Sequence, residues 1–299
     1  MVSELSILIP FYNQDVRQLT EQLVKQCQSF TSRFEICIYD DCSDNKFRKA
    51  HRHLFHIPQV RYVELRKNIG RAAIRNLLAK EANYKYLLFL DNDSALPDDQ
   101  FIKRYWRNES DCDVLIGGTI YETEAPSEIL MLRWRYGRAR EERPAAVRNQ
   151  NPYQSLTLNN MLIKRAVYLA HPLCTELTGY GHEDTKFGWE LQRSGAKVCH
   201  IDNPVIHIGL EPASDFLKKT EQAVRNLYHL YRTIGAIPDS KLVASYERLK
   251  KAKMCRPYQM VFKVFEPTVL DNLRSPDPNL TYFDLYKLYL FITEAGKKS

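Results

Sequence analysis

The chain has 299 residues, of which 44% are hydrophobic and 26% are charged, with a formal net charge of +7 at pH 7. This is the composition of an ordinary soluble globular protein, long enough for one large α/β domain with an appendage or for two small domains. The longest uncharged stretch near the start, residues 5–14, contains Pro10 and Asn13, so it is too short and too polar to cross a bilayer. The positive charge fits a polyanionic substrate, an anionic membrane surface or nucleic acid, and does not choose among them.

The seven cysteines include no Cys-x-x-Cys pair, and most of them lie in apolar segments. This usage favours buried free thiols in a reducing compartment over a disulfide framework or a zinc site. The first residues have neither the basic segment nor the small-residue cleavage site that is typical of a signal peptide. We therefore expect a cytoplasmic protein.

Apolar runs alternate with helical spacing over the first 120 residues. Strands are predicted at residues 5–10, 34–39, 60–65 and 86–90, and helices over residues 15–30, over residues 71–82 and from Pro97 onward. Pro10 is expected to end the first strand because it cannot donate a hydrogen bond to a neighbouring strand. The order strand, helix, strand predicts an α/β fold with a mostly parallel sheet and helices on both faces.

The pattern is looser after residue 121. We predict a mobile surface loop or a short helix over residues 131–144, which hold five arginines, then a strand over 155–163 interrupted at Asn159 and Asn160, and a short helix over 164–170. A further helix is expected to carry Glu183 and Asp184 in its first turn and to end at Gly195.

A serine-capped helix over residues 214–235 is predicted to end the first domain, residues 1–235. The remainder, residues 236–299, is predicted to be a C-terminal helical extension. It would contain a basic helix near residues 241–253, a break around residues 276–278 and a final helix from Thr281, with Thr281 and Asp284 as a capping box.

Asp91 and Asp93 directly follow the predicted central strand at 86–90 and are separated by Asn92. In open α/β sheets, ligands bind outside the carboxyl ends of the strands. Two carboxylates at positions i and i+2 on that edge suit Mg²⁺ or Mn²⁺ carrying a phosphate group. The alternative is an acidic turn, because Asp and Asn are common turn residues.

Five segments in order resemble the family-2 glycosyltransferases of the GT-A fold: ILIPFYN, YDDCSD, RKNIGRAAIRN, LFLDND and GYGHEDTKFGWEL. They lie within residues 7–191, about two thirds of the chain, and the last 60 or so residues are outside the resemblance. The fifth segment, with the His-Ile-Gly at 207–209, is closest to the chondroitin-polymerase-like and galactosaminyltransferase-like branch. The resemblance implies a Rossmann-like mixed sheet and transfer of a sugar from a nucleotide-sugar donor.

The resemblance also implies which residues bind the UDP-sugar donor: Pro10, Tyr12, Asp41, Asn68, Gly70, Arg71, Arg75, Asp91, Asn92 and Asn160. By this pattern Pro10 and Tyr12 lie along the base, Asp41 accepts a hydrogen bond from the base, and Asn160 lines the donor-sugar pocket. Asp41 in an Asx turn and Arg75 as a solvated helix charge are the alternatives.

Asp93, His207 and Asp91 are the implied metal ligands, with Asp91 also toward the ribose side of the same site. A bound Mn²⁺ or Mg²⁺ would make the nucleoside diphosphate a better leaving group, and the imidazole favours Mn²⁺. Without the resemblance, a histidine at the end of an apolar run is more often structural.

Asp184 is the implied catalytic base, since an inverting transfer needs a carboxylate to take the proton of the attacking hydroxyl, and Glu183 lies beside it. The alternative is that both carboxylates only complement the dipole of their helix.

The leading hypothesis is a metal-dependent inverting glycosyltransferase that uses a UDP-sugar and a glycan or lipid-linked acceptor in polysaccharide biosynthesis, with no nucleic-acid partner. A nucleotidyltransferase acting on sugar phosphates is a second hypothesis, although the first strand is followed by FYNQD instead of a glycine-rich phosphate loop. A non-catalytic basic binding module is a third. The arginine-rich stretch and the C-terminal helices are also candidates for peripheral contact with an anionic inner membrane face, with a solvated loop and a packed helix as the alternative.

Overall fold

The structure is a computed structural model that describes residues 2–31, 33–108, 111–177, 179–235 and 240–297. Its strands are β1 (Leu5–Phe11), β2 (Phe34–Asp40), β3 (Val60–Glu64), β4 (Tyr86–Phe89), β5 (Ser94–Ala95), β6 (Val114–Ile116), β7 (Thr119–Ile120), β8 (Met161–Lys164), β9 (Val198–His200) and β10 (Val205–His207). Its α-helices are α1 (Arg17–Gln28), α2 (Asn45–His51), α3 (Arg71–Glu81), α4 (Phe101–Trp106), α5 (Met131–Tyr136), α6 (Ala145–Arg148), α7 (Arg165–Ala170), α8 (Glu183–Ser194), α9 (Ala213–Ile234), α10 (Lys241–Lys251), α11 (Cys255–Leu273) and α12 (Leu280–Gly296).

Seven strands form the main sheet in the order β3-β2-β1-β4-β8-β6-β9. Among the described strands of this sheet, β8 runs antiparallel to both of its neighbours, while the other pairs are parallel. A second sheet has the order β5-β10-β7 and follows the carboxyl end of β4. The predicted α/β fold with a mostly parallel sheet is therefore confirmed.

Apolar side chains of β1 alternate between two hydrophobic clusters, one on each face of the sheet. Ile7 and Ile9 are fully buried in a cluster that includes Leu23 of α1, whereas Leu8 is buried with Leu78 of α3. Successive side chains of a strand point to opposite faces, so both faces of this sheet must be covered by helices.

The chain divides into two compact units. The first contains residues 1–122, 141–175 and 183–209, and therefore both sheets. The second contains residues 123–140, 176–182 and 210–299, with α5, α9, α10, α11 and α12, and its core includes stacked rings of Phe216 and Phe283. The predicted domain boundary after residue 235 adjoins residues 236–239, which lie outside the described residues, and it stays a prediction.

Several element boundaries differ from the sequence predictions. Pro10 lies inside β1, opposite Tyr39 of β2. This is possible because β4 pairs with β1 only as far as Leu8, so the β4 side of Pro10 needs no backbone N–H to pair with a neighbouring strand. The helix expected from Pro97 begins at Phe101, and the strand expected over 155–163 begins at Met161.

The C-terminal half contains more helix than the sequence pattern indicates. Of the two alternatives predicted for residues 131–144, the short helix is confirmed: residues 131–136 are α-helical, and Gly137–Glu141 continue as a π-helical turn. Helix α9 begins at Ala213 without a side-chain cap, and α11 was not predicted. Helix α12 is capped by Asn279, whose side chain accepts the Thr281 N–H, so the predicted capping box is wrong. Across the described residues, no helix combines the length and the apolar content needed to cross a membrane.

Cys112 and Cys199 form a disulfide, with Cα atoms 6.2 Å apart. The prediction of free thiols is therefore wrong for this pair, while Cys27 and Cys37 are buried and free. The parallel pairing of β6 with β9 brings the two cysteines together across 87 residues of sequence. No local spacing pattern indicates such a pair.

Asn160 joins the two sheets just before β8. It adopts a left-handed backbone conformation, with φ of 59°, and its side chain is fully buried. The amide nitrogen donates to the carbonyl oxygens of Gly118 and Asn203, each at 2.8 Å, and the amide oxygen accepts from Tyr105 Oη at 2.7 Å. These bonds fix the ends of β6 and β8 relative to the start of β10.

We predict that Asn160→Ala lowers the free energy of unfolding by about 2–4 kcal/mol, because it removes three buried hydrogen bonds. The Asn203 carbonyl loses its donor, while the Gly118 carbonyl keeps the Val205 N–H and the Tyr105 hydroxyl keeps the backbone carbonyl of residue 160. Asn159→Ala is the matched control: the Asn159 side chain makes bonds of 3.3 and 3.5 Å at a half-buried position, so a loss below about 1 kcal/mol is expected. Urea denaturation measures both. Equal losses would contradict the role given to Asn160.

Candidate active site

Asp93 and His207 meet where the second sheet closes over the end of β4. Strand β10 pairs antiparallel with β5 so that His207 lies opposite Ser94, and the Ile208 N–H donates to the Asp93 carbonyl at 2.9 Å. This register brings His207 Nδ1 to 3.6 Å from Asp93 Oδ1. The two predicted metal ligands are therefore brought together from positions more than 100 residues apart in sequence.

One oxygen of the Asp93 carboxylate is buried without a hydrogen bond among the described residues. Its Oδ1 is buried and accepts no hydrogen bond from any described residue. Burial favours the neutral acid, but His207 and the charge of Arg71 outweigh burial and hold the pKa of Asp93 below its ordinary value. Asp93 is therefore an ionised carboxylate, and the nearest partner of its buried Oδ1 is the His207 ring at 3.6 Å, which is longer than a hydrogen bond. Such an oxygen can still bind a cation.

The donor set fits a divalent metal that takes part of its coordination from a substrate. Within the described ranges, no three His, Cys, Asp or Glu side chains are grouped so as to hold a metal ion by themselves. Mg²⁺ at phosphate sites is held by one or two carboxylates together with substrate phosphates and water, and an imidazole with a carboxylate also suits Mn²⁺. Asp93 and His207 are sufficient for a site of that kind.

Gly209 gives Asp93 the space that it occupies. A Cβ atom on Gly209 would lie 2.5 Å from Asp93 Oδ2 and 2.6 Å from Asp93 Cβ. The His207 ring is held from another side by Tyr121, with ring centroids 5.4 Å apart and edge-to-face packing. Tyr121 in turn donates its hydroxyl to the Glu141 carboxylate. No local sequence pattern predicts the contact of Tyr121 with His207. Gly209 belongs to the His-Ile-Gly segment, but its proximity to Asp93 was not predicted.

Asp91 is paired with Arg75. The Arg75 guanidinium is buried, donates to Asp91 Oδ1 and also donates to the Arg71 carbonyl at 3.1 Å. The alternative of Arg75 as a solvated helix charge is therefore wrong. Because one Asp91 oxygen is already bound by Arg75, Asp91 is less available to a metal than Asp93, and the metal role predicted for Asp91 receives no support here.

Asp41 fixes the loop before α3. Its two carboxylate oxygens accept the N–H groups of Ile69 and Gly70 at 2.7 and 3.0 Å, and Asn68 donates to its carbonyl at 3.0 Å. Gly70 has φ of 89°, a conformation that favours glycine. The loop is thus built around a buried carboxylate, and direct binding of a base by Asp41 stays a prediction.

Pro10 and Tyr12 lie at the carboxyl end of β1, beside the end of β4. Asn92 donates to the Tyr12 carbonyl at 3.3 Å, and the Tyr12 ring is exposed. An exposed aromatic face at this edge of the sheet can stack on a planar base. The Asn160 side chain is buried and makes its hydrogen bonds to Tyr105, Gly118 and Asn203, so the geometry does not support contact with a donor sugar.

Asp184 lies in the first turn of α8, next to the buried Glu183. Burial, joined by the charge of Glu183, raises the pKa of Asp184 to about 6. The charge of Arg71 acts in the opposite direction on Asp184, as it does on Asp93. One guanidinium therefore lies within electrostatic reach of both carboxylates, and the pKa of Asp184 is placed where a general base works at neutral pH.

Comparisons with known proteins agree with this architecture. The family model described as glycosyl transferase family 2 matches residues 6–168. Over 277 residues, 90% of the chain, the sequence is 23% identical to the teichoic acid poly(glycerol phosphate) polymerase of Staphylococcus epidermidis. The chain spans 37% of the length of that polymerase, and 24% to 30% of the other curated relatives that it matches.

Two solved structures share the GT-A fold with this chain. S. aureus TarS 1–349 in complex with UDP-GlcNAc gives a TM-score of 0.50 at 18% identity, covering 98% of this chain and 90% of that one. Mannosyltransferase PcManGT from Pyrobaculum calidifontis, in complex with GDP-Man and Mn²⁺, gives a TM-score of 0.59 at 12% identity, covering 98% of this chain and 88% of that one.

We predict that Asp184→Asn stabilises the folded chain at pH 7.5 by about 1–3 kcal/mol. The folded-state pKa of about 6 lies above the ordinary value of 3.8, so the ionised carboxylate opposes folding above pH 6 and the opposition disappears below pH 3.8. The gain should therefore shrink as the pH is lowered toward 4. Thermal and urea unfolding at both pH values measure it.

Asp215→Asn is the matched control, because Asp215 lies in the first turn of α9 and is exposed. Its removal should cost about 0.3–1 kcal/mol through the helix dipole. If Asp184→Asn destabilises the chain in the same way, then Asp184 is only a helix-terminal charge.

Proposed function

The chain belongs to glycosyl transferase family 2, and from that premise we propose that it transfers a sugar, with inversion, from a UDP-sugar to a hydroxyl of a glycan or lipid-linked acceptor in polysaccharide biosynthesis. Family membership replaces the nucleotidyltransferase and binding-module hypotheses. The observation that carries the proposal is the pairing of an ionised Asp93, with its unmatched buried oxygen, and a second carboxylate, Asp184, whose pKa is near 6.

Asp93 and His207 would hold the metal ion. When bound, Mn²⁺ or Mg²⁺ would neutralise the charge that develops on the departing diphosphate. The mannosyltransferase neighbour contains Mn²⁺ and GDP-Man, and the TarS complex contains UDP-GlcNAc. These two complexes support a nucleotide-sugar donor. Because one contains a guanine nucleotide and the other a uracil nucleotide, the base that this chain prefers has to be measured directly.

The chain's own residues would hold the donor on both sides of that ion. Asp91, oriented by Arg75, lies two residues before Asp93 and can accept hydrogen bonds from a ribose through its remaining oxygen. Arg71 begins α3 and is exposed, so its guanidinium can bind a phosphate oxygen bidentately. Tyr12 can stack on the base, with the loop at 68–70 closing the other side.

Asp184 would act as the base. The acceptor hydroxyl oxygen attacks the anomeric carbon from the face opposite the leaving group, the bond from that carbon to the diphosphate oxygen breaks, and UDP leaves with the bonding electrons. The hydroxyl proton passes to the Asp184 carboxylate. Burial, together with the charge of Glu183, keeps the pKa of Asp184 raised, which makes the carboxylate a stronger base at neutral pH.

One relative supports a class of acceptor. The Staphylococcus epidermidis protein is named as a polymerase of teichoic acid, and similarity to part of it supports an acceptor that belongs to a cell-surface polymer. The chondroitin-polymerase-like branch stays a prediction of the sequence segments alone.

A screen of nucleotide-sugars for metal-dependent release of the nucleoside diphosphate tests the proposal without knowledge of the acceptor. UDP-sugars and GDP-sugars are each incubated with the full chain and Mn²⁺, and free UDP or GDP is measured. We expect release from at least one UDP-sugar and its loss with EDTA. Release from GDP-sugars alone would overturn the UDP assignment, and release from neither class would overturn the proposed function.

We predict that Gly209→Ala raises the Mn²⁺ concentration needed for half-maximal activity by about 10–100-fold, because the added Cβ displaces a ligand that Mn²⁺ requires. Asp93→Asn should abolish metal-dependent activity. Gly296→Ala is the control, since a Cβ there meets no described atom within 4 Å. Unchanged Mn²⁺ dependence in Gly209→Ala would place the metal elsewhere.

We predict that Asp184→Asn lowers kcat of transfer by about 10²–10⁴-fold while UDP binding, measured by calorimetry, changes little. In the unaltered chain the rate should fall tenfold per pH unit below about pH 6, since only the ionised carboxylate accepts the proton. Asp184→Glu should retain part of the activity, and its rate should also fall as the pH is lowered. Full activity in Asp184→Asn would contradict the assignment of the base.

A further inference from the structure

Helix α11 exposes a continuous apolar stripe. Met260, Val261, Val264 and Phe265 are 73%, 60%, 75% and 58% exposed, at the i, i+1, i+4 and i+5 spacing of one helix face. The opposite side of α11 is already used in folding, since Phe262 and Leu273 are buried in the core of the second unit. Single apolar residues on a surface are ordinary, but a contiguous group indicates an interaction site.

Basic residues accompany the stripe. Residues 250–265 contain five Lys or Arg and no Asp or Glu: Lys250, Lys251, Lys253, Arg256 and Lys263. At about 100° per residue, Arg256, Lys263 and Arg274 project along one edge of the stripe, within about 20° of each other. Asp271 is exposed and projects onto the same face two turns after Val264, so the face carries three basic residues along one edge and one acidic residue near its C-terminal end. An apolar face with this excess of basic residues complements a surface that is apolar inside and anionic outside.

We propose that this face of α11 lies on an anionic lipid surface. The four apolar side chains would enter the boundary between headgroups and acyl chains, and Arg256, Lys263 and Arg274 would bind headgroup phosphates. A second copy of the chain fits less well, because an antiparallel symmetric contact through the same helix face sets equally charged edges close to each other. The proposal does not depend on the transfer reaction.

The arginine-rich stretch at residues 131–144, which the sequence analysis offered for membrane contact, is used within its own unit. Arg133 is buried against the Phe216 ring, and Arg140 pairs with Asp284 at 2.8 Å. Arg135 pairs with Asp277, and Arg138 lies over the Trp134 ring. Guanidinium groups that are already bound within the second unit attract lipid phosphates less. Of the two candidates for membrane contact, the C-terminal helices therefore remain, and among them α11 has the exposed apolar face.

Co-sedimentation of the full chain with vesicles tests the proposal. Phosphatidylcholine vesicles are compared with vesicles that contain 30% phosphatidylglycerol, at low and high NaCl. We expect binding to the anionic vesicles that weakens with salt. Val264→Glu should lower the binding constant at least tenfold, and the double variant Arg256→Gln/Lys263→Gln should lower it about 30-fold, at about 1 kcal/mol for each basic residue.

Ile129→Glu is the matched control, because Ile129 is 62% exposed but lies outside α11, and its binding should equal that of the unaltered chain. Equal binding by the Val264→Glu chain, or no binding to anionic vesicles, would overturn the proposal. Analytical ultracentrifugation without lipid tests whether a second copy of the chain binds the stripe instead. A dimer that is dissociated by Val264→Glu would assign the stripe to a second copy and overturn the lipid assignment.

Failure of this proposal is distinguishable from failure of the proposed function. The release of UDP from a dissolved UDP-sugar needs no membrane, so the Val264→Glu chain should retain it in full. A chain that releases UDP but ignores vesicles would retain the transferase assignment and lose the lipid surface.

Discussion

The placement of one carboxylate, Asp93, governs the arrangement around it. A charged oxygen that is buried without a hydrogen-bond donor costs several kcal/mol unless something else compensates it. The second sheet places that oxygen next to His207, and Gly209 has no side chain in the space that Asp93 requires. Such an arrangement is poor for folding and suitable for holding a cation, which is why the unmatched oxygen points to function more strongly than the Asp-x-Asp spacing does.

Two carboxylates within electrostatic reach of Arg71 have pKa values that are shifted in opposite directions. Burial acts on both in the same sense, since it favours the neutral acid. At Asp93 the His207 ring and Arg71 outweigh burial, whereas at Asp184 the charge of Glu183 adds to it. Carboxylates with separated pKa values can have different roles at one pH. In the proposed reaction Asp93 would remain charged and bind a cation, and Asp184 would accept a proton near neutral pH.

Much of the fold and part of the site could be predicted from local sequence. Apolar runs that end in Asp41 or Asp91 located the functional edge of the sheet, because burial and strand polarity are properties of short segments. What local sequence could not supply was pairing between distant segments. Pro10 remains in β1 because the pairing of β4 with β1 ends at Leu8. The Asn160 side chain donates hydrogen bonds to carbonyls of two other segments, and Cys112 bonds to Cys199 through the pairing of β6 with β9.

Helix α11 escaped prediction for a related reason. Amphipathic helices are recognised by a polar face opposite an apolar one, but α11 is apolar on two sides, with Phe262 inward and Val264 outward. Pro257 falls in its first turn, where proline is tolerated, while Pro267 within the helix weakens the local signal further. Folding of the second unit accounts for the inward face only. The outward face is kept apolar at exposed positions with basic residues along its edge, and a free-standing protein in water gains nothing from that combination. Its composition is therefore explained by contact with a surface outside the chain.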